Sequence, residues 1–223
     1  MARMNGRFAR AMSTRAIAMT LAVLLGCSGP CAAQTVEPGP VRVGDRWSYD
    51  IKDDATGDLR HAITVVVVDI NESEITTRTI IRGNDRPQTM VFDRDWGRID
   101  DGNWKLHPAG IGIKAPLQVG KEWRSDANAM HLQSGVAFRA SGVAKVVAEE
   151  RVTTPAGTFD TYRVDTMVKL LNTRDQTKSQ TWTFVFWYAP SVNRWVRRKT
   201  EARYEGRLRD SFVDELTEYA RKP

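Results

Sequence analysis

The feature of this sequence that most constrains its fold is a two-residue alternation of apolar and polar side chains, which recurs along the second half of the chain. The apolar positions form two rows: Tyr162, Val164, Val168 and Leu170, and then Trp182, Phe184, Phe186 and Tyr188. Successive side chains of a strand point to opposite faces of a sheet, so the pattern predicts half-buried antiparallel strands. We predict strands at Val143–Val152, Phe159–Leu171, Thr181–Tyr188 and Arg194–Tyr204.

Short connections between these segments predict how the strands pair. Pro155-Ala156-Gly157 fits a hairpin turn, because proline fixes φ and glycine accepts a positive φ. Strands joined by such short links usually pair in sequence order as a meander, since there is no room for a crossover. Residues 211–220 fit either a short helix or a final strand, whereas Pro108–Pro116 is too rich in glycine and proline for a central strand.

The first 33 residues differ in composition from the remainder. They carry four arginines and no acid, and an apolar run from Ala16 to Leu25 follows the arginines. About ten apolar residues are too few to span a bilayer, but they fit the hydrophobic region of a signal peptide. The chain is therefore expected to be exported, either to the periplasm or to the outer membrane as a lipid-anchored protein.

Two processing routes remain open at the end of this segment. Cys31-Ala32-Ala33 offers the small residues that a signal peptidase reads, whereas Leu24-Leu25-Gly26-Cys27 resembles a lipobox that would leave Cys27 lipidated. We expect a signal peptide at 1–33, or at 1–26 if Cys27 carries lipid, then a linker at 34–40 and a single β domain at 41–223. A lipid anchor is the one membrane contact that the sequence predicts.

Charge and residue types exclude several classes of function. The formal net charge is +6, but 33 basic residues less the four of the export segment leave 29 against 27 acidic ones. This near balance argues against a nucleic-acid-binding protein. From Val41 onward there is no cysteine and the three histidines are widely spaced, so we predict no metal site and no cofactor. We also find no catalytic constellation and expect a protein that is not an enzyme.

One acidic cluster keeps an enzymatic alternative open. Asp93, Asp95 and Asp100 lie on either side of Trp96. Two carboxylates beside an aromatic ring are typical of glycosidases, which place them on either side of a sugar bond. Aspartate is equally frequent in turns, and the turn interpretation is the one we favour.

A set of spaced motifs resembles a known family. The motifs are Gly44-Asp45-Arg46-Trp47-Ser48-Tyr49, Leu117 with Gly120, Lys121 and Trp123, Thr154 to Asp160, Trp187-Tyr188-Ala189-Pro190, and Glu215-Leu216 with Tyr219. In this order they resemble bacterial envelope proteins of the domain of unknown function 3108 over roughly residues 41–220. The resemblance implies one strongly curved sheet, like the half-barrel of periplasmic lipoprotein carriers, in which 211–220 is a strand. It implies structural roles for the motif residues Trp47, Gly120, Trp123, Pro155, Gly157, Phe159, Trp187 and Pro190.

Three functions are consistent with these patterns. The first is an envelope binding or assembly module whose sheet holds an apolar or amphiphilic ligand, such as a lipid or glycan, or a partner protein. The apolar row Trp182, Phe184, Phe186 and Tyr188 would line the concave side, and Arg194, Arg198 and Lys199 would meet the ligand's polar end. The second is a carboxylate-dependent enzyme acting on cell-wall or surface polysaccharide. The third is a structural subunit of an envelope complex.

Overall fold

Every strand of the domain is hydrogen-bonded to the strands that precede and follow it in sequence. The structure is a computed structural model that describes residues 39–221. Its strands are β1 (Arg46–Asp53), β2 (Leu59–Ile70), β3 (Glu74–Ile81), β4 (Gln88–Asp93), β5 (Arg98–Asp100), β6 (Trp104–His107), β7 (Glu122–His131), β8 (Val136–Thr154), β9 (Gly157–Asn172), β10 (Ser179–Ala189), β11 (Arg194–Tyr204) and β12 (Arg207–Ala220). A 3-10 turn at Pro190–Val192 separates β10 from β11.

The sheet closes on itself, which corrects the predicted half-barrel. β12 pairs antiparallel with β1, from Arg46 opposite Ala220 to Asp53 opposite Phe212, so the twelve strands form a closed up-and-down barrel. Alternation within a strand shows which residues share a face, but it carries no information on whether the first and last strands meet. The prediction of an all-β antiparallel meander is confirmed, and residues 211–220 are a strand.

The predicted signal peptide, its helix and Cys27 lie outside the described residues, as does most of the predicted linker. Within residues 39–221, no helix is long and apolar enough to cross a membrane.

The predicted hairpin connects the two longest strands. Thr154 pairs with Gly157, so Pro155 and Ala156 alone form the connection between β8 and β9. Gly157 has a φ of 134°, a conformation that residues with a Cβ rarely adopt. This glycine therefore allows the hairpin to reverse within two residues.

We expect Gly157→Ala to lower the free energy of unfolding by about 1–3 kcal/mol, because alanine is strained at this φ. An added Cβ would be 3.8 Å from the Phe159 ring, an ordinary contact, so crowding contributes little. Urea unfolding followed by circular dichroism measures the change. Ala156→Gly is the control, and equal stability of Gly157→Ala and the wild type would contradict the strained backbone at this turn.

The register shift at the start of β11 determines which side chains face the interior. Phe186 pairs with Arg198, but Tyr188 pairs with Trp195, so an extra residue, Val196, is accommodated between them. Such a bulge reverses the inside–outside alternation of a strand. Trp195 and Arg198 therefore both face the interior although they are three positions apart.

Two apolar clusters fill the interior at different levels. The larger is built around Trp47, Tyr49, Trp96, Trp123 and Trp195, and the smaller around Leu106, Phe138 and Leu170 with Trp104 and Trp182 packed against them. Eight strands give a barrel whose side chains just fill it, so twelve strands leave additional space. Part of this space lies between the two clusters.

The segment between β6 and β7, residues 108–121, enters this space as a plug. Ile113 and Leu117 are buried, and the carbonyl of Gly112 accepts a hydrogen bond from Trp123 Nε1 at 3.0 Å. Ile111 approaches Gly142 so closely that a Cβ on that glycine would be 3.2 Å from the Cβ of Ile111. The prediction of a long loop is confirmed, and the loop packs inside the barrel.

The motif residues are placed as follows. Trp47 and Trp123 are buried in the larger cluster, and Phe159 packs at its margin. Gly120 has a φ of 91°, and its backbone amide donates a hydrogen bond to the Val146 carbonyl. Pro190 follows the last residue of β10. Trp187, for which the resemblance implies a structural role, faces outward, opposite Arg163 and Arg197, and its Nε1 donates a hydrogen bond to Glu150 Oε2 at 2.7 Å.

Candidate functional site

A cavity of about 270 Å³ lies inside the barrel between the two apolar clusters. Every one of the twelve strands contributes at least one side chain to its wall. Its volume is close to the lower end of the range for small-molecule sites and far exceeds what one water molecule requires. The barrel interior is therefore the candidate functional site.

Aromatic side chains of β10 and β11 form one wall of the cavity. Phe184 and Phe186 stack with their centroids 5.5 Å apart, and Phe186 is 5.5 Å from Trp195. Both phenylalanines face inward but are only half-buried, whereas Val164, opposite Phe186 on β9, is fully buried. This difference arises because the phenylalanines border the empty space and Val164 is packed.

Small side chains on β7 and β8 leave part of the cavity volume unfilled. Ser125 and Ala127 of β7 and Ala140 and Gly142 of β8 line the cavity. At Gly142 a Cβ would be 2.8 Å from Ser125 Oγ, so a larger residue would force its neighbours apart. The sequence pattern marked these positions as strand but gave no indication that they line a cavity.

The acidic cluster holds Trp96 in place at the cavity wall. Asp93 Oδ1 accepts hydrogen bonds from the backbone amides of Asp95 at 3.0 Å and Gly97 at 2.6 Å, and burial raises the pKa of Asp93. The turn that these bonds close gives Trp96 a φ of 62° and brings its ring into the larger cluster. Trp96 Nε1 donates to Asn193 Oδ1 at 3.3 Å.

The carboxylates considered for an enzyme are positioned by turns. Asp100 Oδ1 accepts a hydrogen bond from the Gly102 amide at 2.8 Å. Asp93 Oδ1 accepts one from the Asp95 amide and so stabilises the turn that contains Asp95. The cavity wall contains none of these three aspartates, although it includes the neighbouring Asp101. In the described part of the chain, no group of three or more His, Cys, Asp or Glu residues could hold a metal ion.

Arg194 is a buried cation surrounded by aromatic rings. Its guanidinium carbon lies 4.2 Å from the ring centroid of Trp195, 4.4 Å from that of Trp96, 5.1 Å from that of Trp47 and 5.8 Å from that of Phe92. The residue is 3% exposed, and its Nε and Nη1 have no hydrogen-bond partner. Burial lowers the pKa of Arg194, because it disfavours the charged form.

Arg198 and Asp214 form an ion pair across β11 and β12 at the same cavity. Burial raises the pKa of Asp214, and the attraction of Arg198 offsets this effect only in part. Asp214 Oδ1 and Arg198 Nε have no hydrogen-bond partner. The nearby Tyr49 donates to the Trp195 carbonyl at 2.9 Å, and burial raises the pKa of its hydroxyl.

The structure separates the predicted ligand residues into three groups. Phe184, Phe186, Arg194 and Arg198 line the cavity. Trp182 borders a smaller space of about 30 Å³ beside it, and Tyr188 lies in the larger cluster, where its hydroxyl donates to Asn193 Oδ1 at 2.6 Å. The β10 row of Trp182, Phe184, Phe186 and Tyr188 faces the barrel interior together with the apolar row of β9, as predicted. Each of these four residues pairs with a β9 residue that points to the same side of the sheet as Tyr162 and Val164.

Lys199 requires a correction. It was predicted to meet a ligand's polar end together with Arg198, but consecutive residues of a strand point to opposite faces. Lys199 Nζ instead contacts Asp54 Oδ2 at 2.9 Å and Glu201 Oε1 at 3.5 Å, outside the cavity wall. It belongs to a set of outward-facing ion pairs that also includes Arg197 with Glu215.

The aromatic and charged cavity residues that sequence reasoning missed include Tyr49, Trp96, Trp195 and Asp214. A signal existed for Trp195, whose parity disagreed with the apolar row of its strand; the bulge explains the disagreement. Asp214 sits at an inward position between apolar residues of β12, which is unusual enough to mark a buried charge. Nothing in the sequence pattern brought Tyr49 and Trp96 next to β11.

The fold and the site together define a class: a closed, up-and-down antiparallel barrel with an apolar cavity that contains charged groups. No family model matches the sequence, and the comparison with curated proteins gives no match either. The resemblance to the domain of unknown function 3108 therefore stays a prediction.

Solved structures share the architecture. An exported-protein candidate with a YmcC-like fold from Bacteroides fragilis has a TM-score of 0.53 at 14% identity, covering 83% of this chain and 99% of its own. A lipoprotein candidate from Parabacteroides distasonis has a TM-score of 0.51 at 16% identity, covering 81% and 97%. The hypothetical lipoprotein YmcC from Escherichia coli scores 0.47 at 12% identity and is too distant to support an argument. At such identities the first two similarities establish the fold alone.

Proposed function

We propose that this chain is an exported, non-enzymatic envelope protein that holds an apolar or amphiphilic small molecule inside its barrel. The observation that carries the proposal is the cavity of about 270 Å³, which lies between two packed clusters and is walled mainly by apolar side chains. Sites for small molecules are typically concave, mostly apolar and equipped with a few placed polar groups. Tightly packed interiors rarely leave a space of this size.

The cavity's location favours a ligand over a partner protein. Its wall is formed by inward-facing residues of a closed sheet, so a partner's surface would not reach it, whereas a chain-like small molecule would. The partially exposed Phe184 and Phe186 supply the apolar contact area for such a molecule. Binding would remove this aromatic surface from water, which is favourable.

Two features of the first 33 residues support export to the envelope. An arginine-rich stretch is followed by an apolar one, and a candidate processing site follows at Cys27 or Ala33. The descriptions of the Bacteroides fragilis and Parabacteroides distasonis proteins as exported-protein and lipoprotein candidates point in the same direction. A periplasmic or lipid-anchored protein would meet amphiphilic molecules in transit between the membranes.

The test uses an uncharged apolar fluorophore, phenylnaphthylamine, and the domain from Val41 onward, alongside native mass spectrometry of protein from the periplasm. We expect fluorescence to increase on binding and dodecanol to reverse the increase. Phe184→Ala should weaken probe binding and cost less than about 3 kcal/mol of stability, because Phe184 is only half-buried.

Met167→Ala is the matched control, since Met167 is 47% exposed on the outward face of β9. It should leave probe binding unchanged. Equal binding by the wild type and Phe184→Ala, or no binding at all, would contradict a ligand site inside the barrel.

A further inference from the structure

We propose that the barrel cavity is selective for amphiphiles with an anionic head group, a carboxylate or a phosphate, which the guanidinium of Arg194 receives. The apolar part of the ligand would lie against Phe184 and Phe186. This inference rests on the proposed function, because it names the chemistry of the ligand held at that same site.

The charges around the cavity do not balance. Five charged side chains line it: Arg98, Asp101, Arg194, Arg198 and Asp214. Arg98 pairs with Asp101 at 2.6 Å and Arg198 pairs with Asp214. Arg194 is therefore the cavity cation that has no carboxylate of the described residues within ion-pair distance, since Asp214 pairs with Arg198, and an incoming anion would complete the set.

The hydrogen-bonding groups of Arg194 are also incomplete. A guanidinium presents its flat faces to aromatic rings and its N–H groups outward in its own plane. The rings of Trp96 and Trp195, both within 4.5 Å of the guanidinium carbon, stabilise the cation but cannot accept the in-plane bonds. Nε and Nη1 are buried without a partner. A buried donor left unsatisfied is costly, so an oxygen ligand here gains more than it would at the surface.

Asp214 allows a test of whether the charge of the head group, and not only its size, determines binding at Arg194. Asp214 is 1% exposed, lines the same cavity, pairs with Arg198 and also attracts the guanidinium of Arg194 electrostatically. An anionic head group at Arg194 would experience repulsion from this carboxylate. Asp214→Asn should therefore increase the affinity for anionic amphiphiles while leaving the affinity for dodecanol nearly unchanged.

The experiment measures displacement of phenylnaphthylamine by four molecules with the same alkyl chain: dodecanol, dodecanoate, dodecyl phosphate and dodecylammonium. For the wild type we expect dodecanoate or dodecyl phosphate to bind about ten- to one-hundred-fold more tightly than dodecanol, the range given by one hydrogen bond to a charged group. Dodecylammonium should bind most weakly. Whichever of dodecanoate and dodecyl phosphate binds more tightly identifies the head group that the site prefers.

Arg194→Met should abolish the preference for anions but retain binding of dodecanol. Lys199→Met is the matched control, because it removes the same charge from the outward face of the same strand. It should leave the preference intact. An equal loss in both variants would mean that overall charge, and not Arg194, sets the selectivity, which would overturn the inference.

A measurement on the wild type covers the case in which Arg194→Met does not fold. The Nε–H signal of Arg194 in a nuclear magnetic resonance spectrum should shift on adding dodecanoate and stay in place on adding dodecanol. Binding of dodecanol with no preference for anions would overturn this inference and leave the proposed function standing. Failure of every molecule to bind would overturn both.

Discussion

Trp47→Ala should lower the free energy of unfolding by about 3–5 kcal/mol, the usual cost of removing a buried tryptophan. Trp47 is completely buried, and its Nε1 donates to the Val192 carbonyl at 2.9 Å. Its ring packs edge-on against Trp96 and stacks on Tyr219, with centroids 5.7 and 5.9 Å away. One substitution therefore opens a cavity and removes contacts with β12, with the 3-10 turn and with the turn that carries Trp96.

Two control variants separate the contributions to this loss. Trp47→Phe keeps most of the apolar contact but removes the hydrogen bond to Val192, so we expect a cost of about 1–2 kcal/mol from the bond and the smaller ring. Trp187→Ala, at a half-buried outward position, should cost less than Trp47→Ala. Chemical unfolding followed by circular dichroism gives all three values, and equal losses at positions 47 and 187 would contradict the placement of Trp47 at the centre of the core.

Gly112→Ala should be disruptive for a different reason, which is the lack of space in the plug. A Cβ at this position would lie 2.3 Å from the Asp95 carbonyl oxygen and 2.5 Å from the Gly97 amide nitrogen, both backbone atoms. The loop would have to move away from the turn that positions Trp96, weakening the bond from the Ile113 amide to the Asp95 carbonyl. We expect a loss of at least about 2–3 kcal/mol.

Gly110→Ala is the matched control in the same loop. There the nearest atom to a new Cβ is the end of the flexible Leu106 side chain at 3.2 Å, so a small adjustment relieves the contact. Its expected cost is less than half that of Gly112→Ala, measured by thermal unfolding of both variants. A Gly112→Ala protein as stable as the wild type would contradict the plug's close approach to residues 95–97.

The strands and hairpins of the C-terminal half followed from local patterns, because inward and outward positions alternate and Pro155 to Gly157 specifies its turn. Local patterns also placed Phe184 and Phe186 on the side of the sheet that faces the cavity. Barrel closure did not follow, since it depends on the pairing of β1 with β12, which are far apart in sequence. Nor did the inward position of Trp195, because the extra residue Val196 reverses the faces of the residues before it. The outward position of Lys199 follows from simple alternation with Arg198.

The site itself could be predicted only in part for the same reason. Arg194 and Arg198 were recognisable as charges at the start of a strand, but Asp214 and Trp96 reach the cavity through pairings and a turn that are set by the whole barrel. The unbalanced charge of Arg194 is a property of this assembly of distant residues. It becomes visible only when the partners of every charge around the cavity are known.

The pairing of β1 with β12 also has a consequence for how the protein is made. A chain is synthesised from its N-terminus and so presents β1 first, yet the partner of Arg46 is Ala220, at the other end of the domain. Contacts so distant in sequence slow folding, because a long loop must close before they form. Until β12 arrives, β1 and β11 are open edges that can pair with other chains. Loss of β12 would thus leave a nascent protein prone to aggregation, and a chaperone that covers strand edges would be needed most in that interval.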